Sequence, residues 1–309
     1  MMTNDVGAGS TLQESLAKEW SRLVAPQTGD VRADLVREAA DFLGIPLQDA
    51  WDRLHGATER FRDEWLDTVD QSRDAAVLAR FYNQSNTELF ELIEWHASDP
   101  IHYRTLILRD FLKRSLRAPG TFLDYGSGIG NDALVFAEAG YDVTLADISE
   151  PLLAFAAWRC RRRGLAVRTI DLKRAGLPPE AFDVVICFDV LEHIPDPLHV
   201  VRTIRAALGA NGVLVFHAPF GKDPVRPMHV VDRDVVTPRI RAMGFRPVDC
   251  AFPPSIRAPH VYEKQAVPAI DRAGYYVYDN YLNNALGARL AGLYRYFRAS
   301  PAVEFHGKP

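Results

Sequence analysis

Short β-branched runs alternate with helical patterns from Thr121 onward, and this alternation constrains the fold more than any other feature of the chain. The runs are TFLDY, YDVTLAD, AVRTID, FDVVICFD and GVLVFHAP, and amphipathic segments such as SEPLLAFAAWRCRRRG stand between them. Apolar strands that alternate with helices form a parallel sheet covered on both faces. The sequence therefore predicts a doubly wound α/β domain, and AMGFRPVDCAFPP and HVYEKQAVP could supply its last strands.

The chain before this domain is predicted to be helical. From residue 11 to about 117, segments such as VRADLVREAADFLG and ELFELIEWHA repeat apolar residues at intervals of three and four. We therefore divide the chain into a helical N-terminal extension or cap (1–117), an α/β domain (118–265) and a C-terminal tail (266–309). The tail is rich in tyrosine and compatible with helix. It either packs its aromatic stripe onto the domain or forms a lid or a dimer surface.

Composition narrows the class of protein. The formal net charge is -4 with acids and bases interspersed, so we expect no nucleic-acid partner. The three cysteines, Cys160, Cys187 and Cys250, have no C-x-x-C spacing, which predicts neither disulfides nor a zinc knuckle and fits a reducing compartment. No uncharged apolar run approaches the ~20 residues needed to span a bilayer. We expect a cytoplasmic protein that does not contact a membrane.

The turn after the first strand, FLDYGSGIGND (122–132), combines three glycines with an acid at its mouth. Glycines let a ligand approach the backbone closely because they carry no Cβ. A carboxylate at Asp124, about 4 Å from a pyrophosphate, would cost several kcal/mol at an effective dielectric constant near 20. The acid therefore disfavours a nicotinamide oxidoreductase and favours a ligand that carries positive charge.

Three more acids follow at the ends of later strands. Asp147 could accept hydrogen bonds from both hydroxyls of a ribose, and Asp171 could accept from an adenine amine while Ile148 and Leu172 sandwich the ring. Asp189 ends a fourth strand. Two alternatives stay open: Asp171 caps the segment LKRAG, and Asp189 accepts only backbone hydrogen bonds in its turn. Together the four acids indicate a cavity for a ligand with positive charge, ribose and adenine.

These residues resemble the class I S-adenosylmethionine-dependent methyltransferases over the segment from about Thr121 to Pro219. FDVVICFDVLEHIPDP is similar to the fourth motif of that family, and LGANGVLVFHAPF to the strand that follows it. The resemblance implies a Rossmann-like methyltransferase fold with a seven-stranded, mostly parallel sheet, and S-adenosyl-L-methionine as cofactor. It implies that the cofactor contacts Asp124, Gly126, Ser127, Gly128, Asp147, Ile148, Asp171, Leu172 and Asp189, with Tyr82 of the cap closing over it.

Three histidines are candidates for the general base. Methyl transfer from a sulfonium is an in-line displacement, so the enzyme mainly aligns the nucleophile and removes or withholds its proton. His193 follows the fourth strand, His217 ends the fifth, and His229 lies in RPMHVVDRD. Each could deprotonate an alcohol or phenol. The alternative is that Glu192 and His193 hold their loop by hydrogen bonds and that the other two histidines have ordinary polar roles.

The same region raises the question of a metal. Asp189, Glu192 and His193 form D-x-x-E-H, and with His217 they are ligand types that magnesium-like ions accept. Some members of the resembled family that methylate catechol-type or RNA 2′-hydroxyls have a similar E-x-x-E-H pattern. Because the first position here is aspartate, we expect no metal.

The sequence thus predicts methyl transfer to an oxygen or nitrogen of a small, biosynthetic acceptor in a pocket that the helical cap encloses. The chain could form a homodimer. Four alternatives remain: attack on the aminocarboxypropyl arm, or a cyclisation, with release of methylthioadenosine; metal-assisted RNA or catechol O-methylation; a non-catalytic binding module; and a nicotinamide oxidoreductase. The first shares every cofactor motif, because those motifs recognise the cofactor and not the bond that breaks.

Overall fold

The computed structural model describes residues 5–69, 72, 74–98, 100–115, 119–253 and 256–266. All of the predicted C-terminal tail beyond Ala266 lies outside the described residues. The predictions of an aromatic stripe, a lid or a dimer surface for that tail therefore stay predictions.

The described residues contain one seven-stranded sheet with the strand order β3-β2-β1-β4-β5-β7-β6. Strands β1 to β5 are parallel, whereas β7 is antiparallel to both β5 and β6. The two segments expected to supply the last strands form β6 and β7, and the predicted fold class is confirmed. The strands are β1 (Thr121–Tyr125), β2 (Asp142–Asp147), β3 (Val167–Asp171), β4 (Phe182–Phe188), β5 (Leu208–His217), β6 (Phe245–Pro247) and β7 (His260–Lys264).

Helices occupy the chain before the sheet and three of the four connections between its parallel strands; β3 and β4 are joined without a helix. Local caps mark some of their ends: the Asp30 carboxylate accepts a hydrogen bond from the backbone N–H of Ala33, and Gly44 terminates the same helix in the left-handed region. The N-terminal helices are α1 (Asp5–Val24), α2 (Val31–Leu43), α3 (Leu47–Leu54), α4 (Ala57–Thr68), α5 (Ala75–Gln84), α6 (Glu88–Ser98) and α7 (Arg104–Ser115). Those between the strands are α8 (Asn131–Glu138), α9 (Glu150–Arg162) and α10 (Pro197–Ala207).

The central strands are apolar on both faces because helices cover both. One face packs on α10 through residues such as Val201 and Ile204, and the other packs on α8 and α9. Helix α7 joins this second layer, since Leu108 and Leu112 belong to the same apolar cluster as Phe122 of β1. The last helix of the predicted cap is therefore part of the sheet's own covering. The domain boundary at residue 117 itself stays a prediction.

Helices α2 to α6 lie over the end of the sheet where the parallel strands terminate, whereas α1 packs against α7 and α8. Helices α2, α3 and α6 share an apolar cluster with Ile129 of the glycine loop and Phe155 of α9. Helices α4 and α5 share another with Met228, Val230 and Val231, which follow β5. These two clusters fix a helical roof above the carboxyl ends of the strands, where open α/β sheets bind their ligands.

The close packing of the glycine loop on α9 is testable by a matched pair of substitutions. Gly130 and Gly164 have nearly equal positive φ angles of 76° and 70°, but a Cβ at Gly130 would lie 2.8 Å from Ala156 Cβ, whereas a Cβ at Gly164 meets nothing within 4 Å. In both Gly→Ala variants, placing a residue with a Cβ at positive φ strains the backbone by about 1–2 kcal/mol. We expect Gly130→Ala to lower the free energy of unfolding by a further ~1–3 kcal/mol, because overpacking adds to that strain. Urea unfolding measures the difference; equal losses would contradict this packing.

Candidate functional site

A cavity of about 440 Å³ lies at the carboxyl ends of β1, β2 and β4, beneath α5 and α6. It brings together ten of the thirteen residues that the sequence indicated. These are Tyr82, Gly126, Ser127, Gly128, Asp147, Ile148, Leu172, Asp189, His193 and His229. The other three, Asp124, Asp171 and His217, are not among its lining residues.

The glycine loop is tied to the end of β2. The backbone N–H of Gly128 donates to Asp147 Oδ2 at 2.9 Å, and the N–H of Ser149 donates to Asp147 Oδ1 at 2.8 Å. Gly126 has φ 76°, and a Cβ there would lie 2.3 Å from Val190 Cγ2, so the loop needs glycine at this position. Burial raises the pKa of Asp147 even though the backbone N–H groups oppose the shift. Each oxygen keeps acceptor capacity, because a carboxylate oxygen can accept more than one hydrogen bond.

Asp124 does not face the ligand cavity, and the structure corrects that expectation. The last residue of β1, Tyr125, lines the cavity, whereas Asp124 is buried with 4% of its surface exposed. Its carboxyl accepts the backbone N–H of Ala133 in the first turn of α8. Burial, then the charges of Asp132 and Asp147, raise its pKa well above the ordinary value. The side chain therefore supports the helix beneath the glycine loop.

Asp171 lies outside the cavity wall as well. Its carboxylate forms ion pairs with Lys173 Nζ at 3.0 Å and with Arg174 Nε at 3.1 Å, and accepts the backbone N–H of Lys173 at 3.0 Å. These contacts fit the alternative that Asp171 caps the segment after β3. Its neighbour Leu172 does line the cavity, as does Ile148.

A buried charge network crosses the floor of the cavity. The Arg104 guanidinium, at the start of α7, donates to Asp189 Oδ2 and lies 4.1 Å above the ring centroid of Phe188. His217 Nδ1 lies 2.6 Å from Asp189 Oδ1. Burial raises the pKa of Asp189, but the Arg104 charge and the His217 contact outweigh it and hold that pKa below the usual value. The contacts are to side chains, so the alternative of a purely backbone role for Asp189 is wrong, and His217 acts as its partner.

Arg104 is one of the cavity residues that the sequence did not indicate. Two of its guanidinium nitrogens, Nε and Nη1, are buried with no hydrogen-bond partner among the described residues, and the side chain lines the cavity. Ser127 Oγ, in the same wall, also lacks a partner within that set. Nothing in the segment HYRTLILRDF separates Arg104 from the other basic residues of its helix, because its position depends on how α7 packs against the sheet.

His193 and His229 lie together at another part of the wall. Their rings make an edge-to-face contact with centroids 5.0 Å apart. His193 Nδ1 lies 3.1 Å from the carbonyl oxygen of Met228 and 3.2 Å from Tyr82 Oη. Because a carbonyl can only accept, we assign the proton to Nδ1, which leaves the Nε2 lone pair available. Burial, then the His229 charge, lower the pKa of His193 to about 3, so the ring is neutral at pH 7.

Acidic side chains of the roof complete the wall. Glu88 and Glu91 of α6 line the cavity, and burial raises the pKa of Glu91 to about 7. Burial, then the charge of Asp147, raise that of Glu88 well above its ordinary value. Both were missed because the polar face of an amphipathic helix is normally solvated. In all, six carboxyl side chains (Glu88, Glu91, Asp132, Asp147, Asp189, Glu192) and three lysine or arginine side chains (Arg104, Lys173, Arg226) line the described cavity.

Comparison with known proteins identifies the family. Residues 101–275, more than half of the chain, match a family model described as a methyltransferase domain. The chain belongs to this methyltransferase-domain family. The resemblance stated from the sequence is confirmed, and with it the enzyme class and S-adenosyl-L-methionine as the cofactor. Across the residues that the structure covers, no helix is long and apolar enough to cross a membrane.

Curated relatives match part of this methyltransferase. A ubiquinone biosynthesis O-methyltransferase of Actinobacillus pleuropneumoniae serotype 7 (strain AP76) is 33% identical over 131 residues, which cover 38% of this chain and 54% of that protein. One of Bordetella avium (strain 197N) is 30% identical over 166 residues, 52% of this chain and 64% of that one. The chain thus spans about half the length of the first of these relatives.

Solved structures share the fold at lower identity. The 1,6-didemethyltoxoflavin-N1-methyltransferase of Burkholderia thailandensis is 23% identical, with a TM-score of 0.49 over 62% of this chain and 89% of that chain. The magnesium protoporphyrin IX methyltransferase of Synechocystis PCC 6803 is 16% identical, with a TM-score of 0.47 over 62% of this chain and all of the other. We take no functional argument from either.

The residues of the methyltransferase cavity fit the cofactor. An unpartnered guanidinium N–H of Arg104 suits the carboxylate of the methionine end, because hydrogen bonds between two charged groups are stronger than those between neutral ones. Asp147 retains acceptor capacity for ribose hydroxyls, while Ile148 and Leu172 offer apolar surface to adenine. When bound, S-adenosylmethionine supplies an activated methyl group on a sulfonium.

A comparison of two nucleosides tests this assignment. Methylthioadenosine has the adenosine of S-adenosylhomocysteine but lacks its amino-acid end. We expect Arg104→Lys, which keeps a positive charge beside Asp189, to raise the Kd for S-adenosylhomocysteine at least about tenfold and that for methylthioadenosine less than about twofold. Asp147→Asn should weaken both ligands about tenfold. Calorimetric titration measures the constants, with the exposed Asp142→Asn as control. Equal losses of both ligands in Arg104→Lys would contradict the assignment.

Proposed function

We propose that this methyltransferase transfers the methyl group of S-adenosylmethionine to a hydroxyl oxygen of a small aromatic acceptor. One observation carries the proposal: a single roofed cavity contains both the cofactor loop and the cluster of Tyr82, His193 and His229. The curated relatives named above are O-methyltransferases, which supports oxygen rather than nitrogen as the acceptor atom.

The wall beneath α4 and α5 supports an aromatic acceptor. Phe61, Leu78, Ala79 and Met228 give this part of the cavity an apolar surface. Most small-ligand sites combine such a surface with a few polar groups that fix orientation. His193 and His229 supply those groups here, and their closeness to Tyr82 concentrates the hydrogen-bonding capacity at one end of the apolar wall.

The roof supports a small acceptor. Its two apolar clusters join α2 to α6 with the glycine loop and with the segment after β5, so the cavity is covered over the ends of the strands. A covered site excludes water from the reacting groups, which strengthens electrostatic interactions with the acceptor hydroxyl. In this arrangement the chain's own residues bind and orient the acceptor.

Isotope-labelled methyl transfer tests the function. Purified protein is incubated with methyl-labelled S-adenosylmethionine and either a panel of phenols, catechols and amines or a metabolite extract, and the products are identified by mass spectrometry. We expect label on an aromatic hydroxyl and release of S-adenosylhomocysteine. We expect His193→Gln to lower kcat at least about tenfold, because the neutral ring helps to hold the acceptor hydroxyl in line with the methyl group, while the exposed His199→Gln is unchanged. Release of methylthioadenosine, or label confined to amines, would contradict the proposal.

A further inference from the structure

Three potential metal-binding side chains lie close together at the end of the cavity where we propose that the acceptor binds, which we call the acceptor end. They are Glu192, His193 and His229. One ligand atom from each lies within 4.8 Å of the other two. Glu192 and His193 come from the short turn after β4, and His229 from the segment after β5. The backbone N–H groups of Val230 and Val231 donate to the Glu192 carbonyl oxygen at 2.9 and 3.2 Å, so the two segments are fixed against each other.

Glu192 lacks the partners that a buried carboxyl normally has. Its side chain is fully buried, and neither Oε1 nor Oε2 has a hydrogen-bond partner within the described chain. Burying such a group without compensation is costly, and buried carboxylates are usually paired or coordinate a metal. Glu192 Oε1 lies 3.9 Å from His193 Nε2, and the side chain lines the cavity. The unpartnered carboxyl therefore points to an additional ligand.

His193 is oriented as a metal ligand would be. Its Nδ1 lies 3.1 Å from the Met228 carbonyl oxygen, which fixes the tautomer and leaves Nε2 facing Glu192. A metal-ligating histidine nearly always donates its other ring N–H to a carbonyl or carboxylate, which sets its orientation. His229 adds a second imidazole from the neighbouring segment, 5.0 Å away between ring centroids.

The structure also excludes two ligands that the D-x-x-E-H spacing suggested. Asp189 is bound by Arg104 and by His217 Nδ1, so its carboxylate and that histidine stabilise each other below the cavity. Without Asp189 and His217, and with His229 added, the set changes from two carboxylates and two imidazoles to one carboxylate and two imidazoles. That donor set suits first-row transition metals, as in catalytic zinc sites with two histidines and one glutamate.

We propose that Glu192, His193 and His229 bind one divalent transition-metal ion of the zinc type. In a tetrahedral shell with bonds of about 2.0 Å, ligand atoms lie about 3.3 Å apart, so side-chain rotations that close the observed gaps complete the site. All three residues line the cavity, and a fourth coordination position therefore faces it. The protein can bind the ion whether or not it methylates a hydroxyl. The role of the ion in catalysis, however, rests on the proposed function. The open position takes the acceptor's hydroxyl oxygen, and the ion lowers the pKa of that hydroxyl.

Cobalt binding tests the site. Tag-free, full-length protein is treated with a chelator, dialysed and titrated with Co²⁺, whose visible spectrum reports coordination by protein ligands. We expect one equivalent per chain for the native protein and for the control His199→Gln, whose histidine is exposed outside the cavity. We expect Glu192→Gln and His229→Gln to weaken Co²⁺ binding at least about tenfold. Zn²⁺ should displace the bound cobalt with loss of the spectrum.

Binding of S-adenosylhomocysteine to the same samples shows that each variant is folded and keeps the two proposals separate. Loss of cobalt binding with retained nucleoside binding in the Glu192 and His229 variants supports the metal site. Native protein that binds nucleoside but less than about 0.2 equivalents of Co²⁺ overturns the metal site and leaves the proposed function intact. Equal Co²⁺ affinity in the native protein and both variants overturns it as well, because the ion then binds elsewhere.

Discussion

The buried contact between Arg104 and Asp189 sets the arrangement of the rest of the site. Both side chains are removed from water, and breaking such a pair by removing one partner leaves an uncompensated charge that costs about 3–5 kcal/mol. The contact joins α7, which the sequence placed in a separate cap, to the end of β4, and His217 extends it to the end of β5. Three elements are thereby fixed around one carboxylate. The same geometry leaves Nε and Nη1 of the guanidinium without a hydrogen-bond partner among the described residues.

Electrostatics favour a cationic ligand, but through different acids from those that the sequence suggested. Asp124 faces α8 and Asp171 faces its own turn, whereas Glu88 and Glu91 of the roof join Asp147 in the wall. Burial raises the pKa of Glu88, Glu91 and Asp147, because the cavity does not supply enough positive charge or hydrogen bonding to stabilise their ionised forms. A sulfonium-bearing nucleoside brings the missing positive charge, and a divalent ion beside Glu192 would do the same at the acceptor end.

Features that depend on residues close together in the sequence could be predicted from it, whereas features that depend on tertiary packing could not. The sheet, its last two strands and the position of Asp147 depend on apolar periodicity and on a turn within a few residues, and these were predicted. Asp124 was misplaced because successive residues of a strand point to opposite faces, and at the end of β1 it is Tyr125 that lines the cavity. Arg104 and Glu91 could not be found, because each is an ordinary charged residue of a helix until the packing of that helix is known. His229 was found as a candidate, but its contact with His193 joins two segments that are distant in sequence.

A crystal structure of the protein with S-adenosylhomocysteine tests the central claim most directly: the ligand site is formed where the parallel strands end and is completed by α7. We expect the ribose at Asp147 and the amino-acid carboxylate hydrogen-bonded to a free N–H of Arg104, with the sulfur directed toward His193 and His229. A nucleoside bound outside this cavity, or one whose carboxylate makes no hydrogen bond to Arg104, would contradict it.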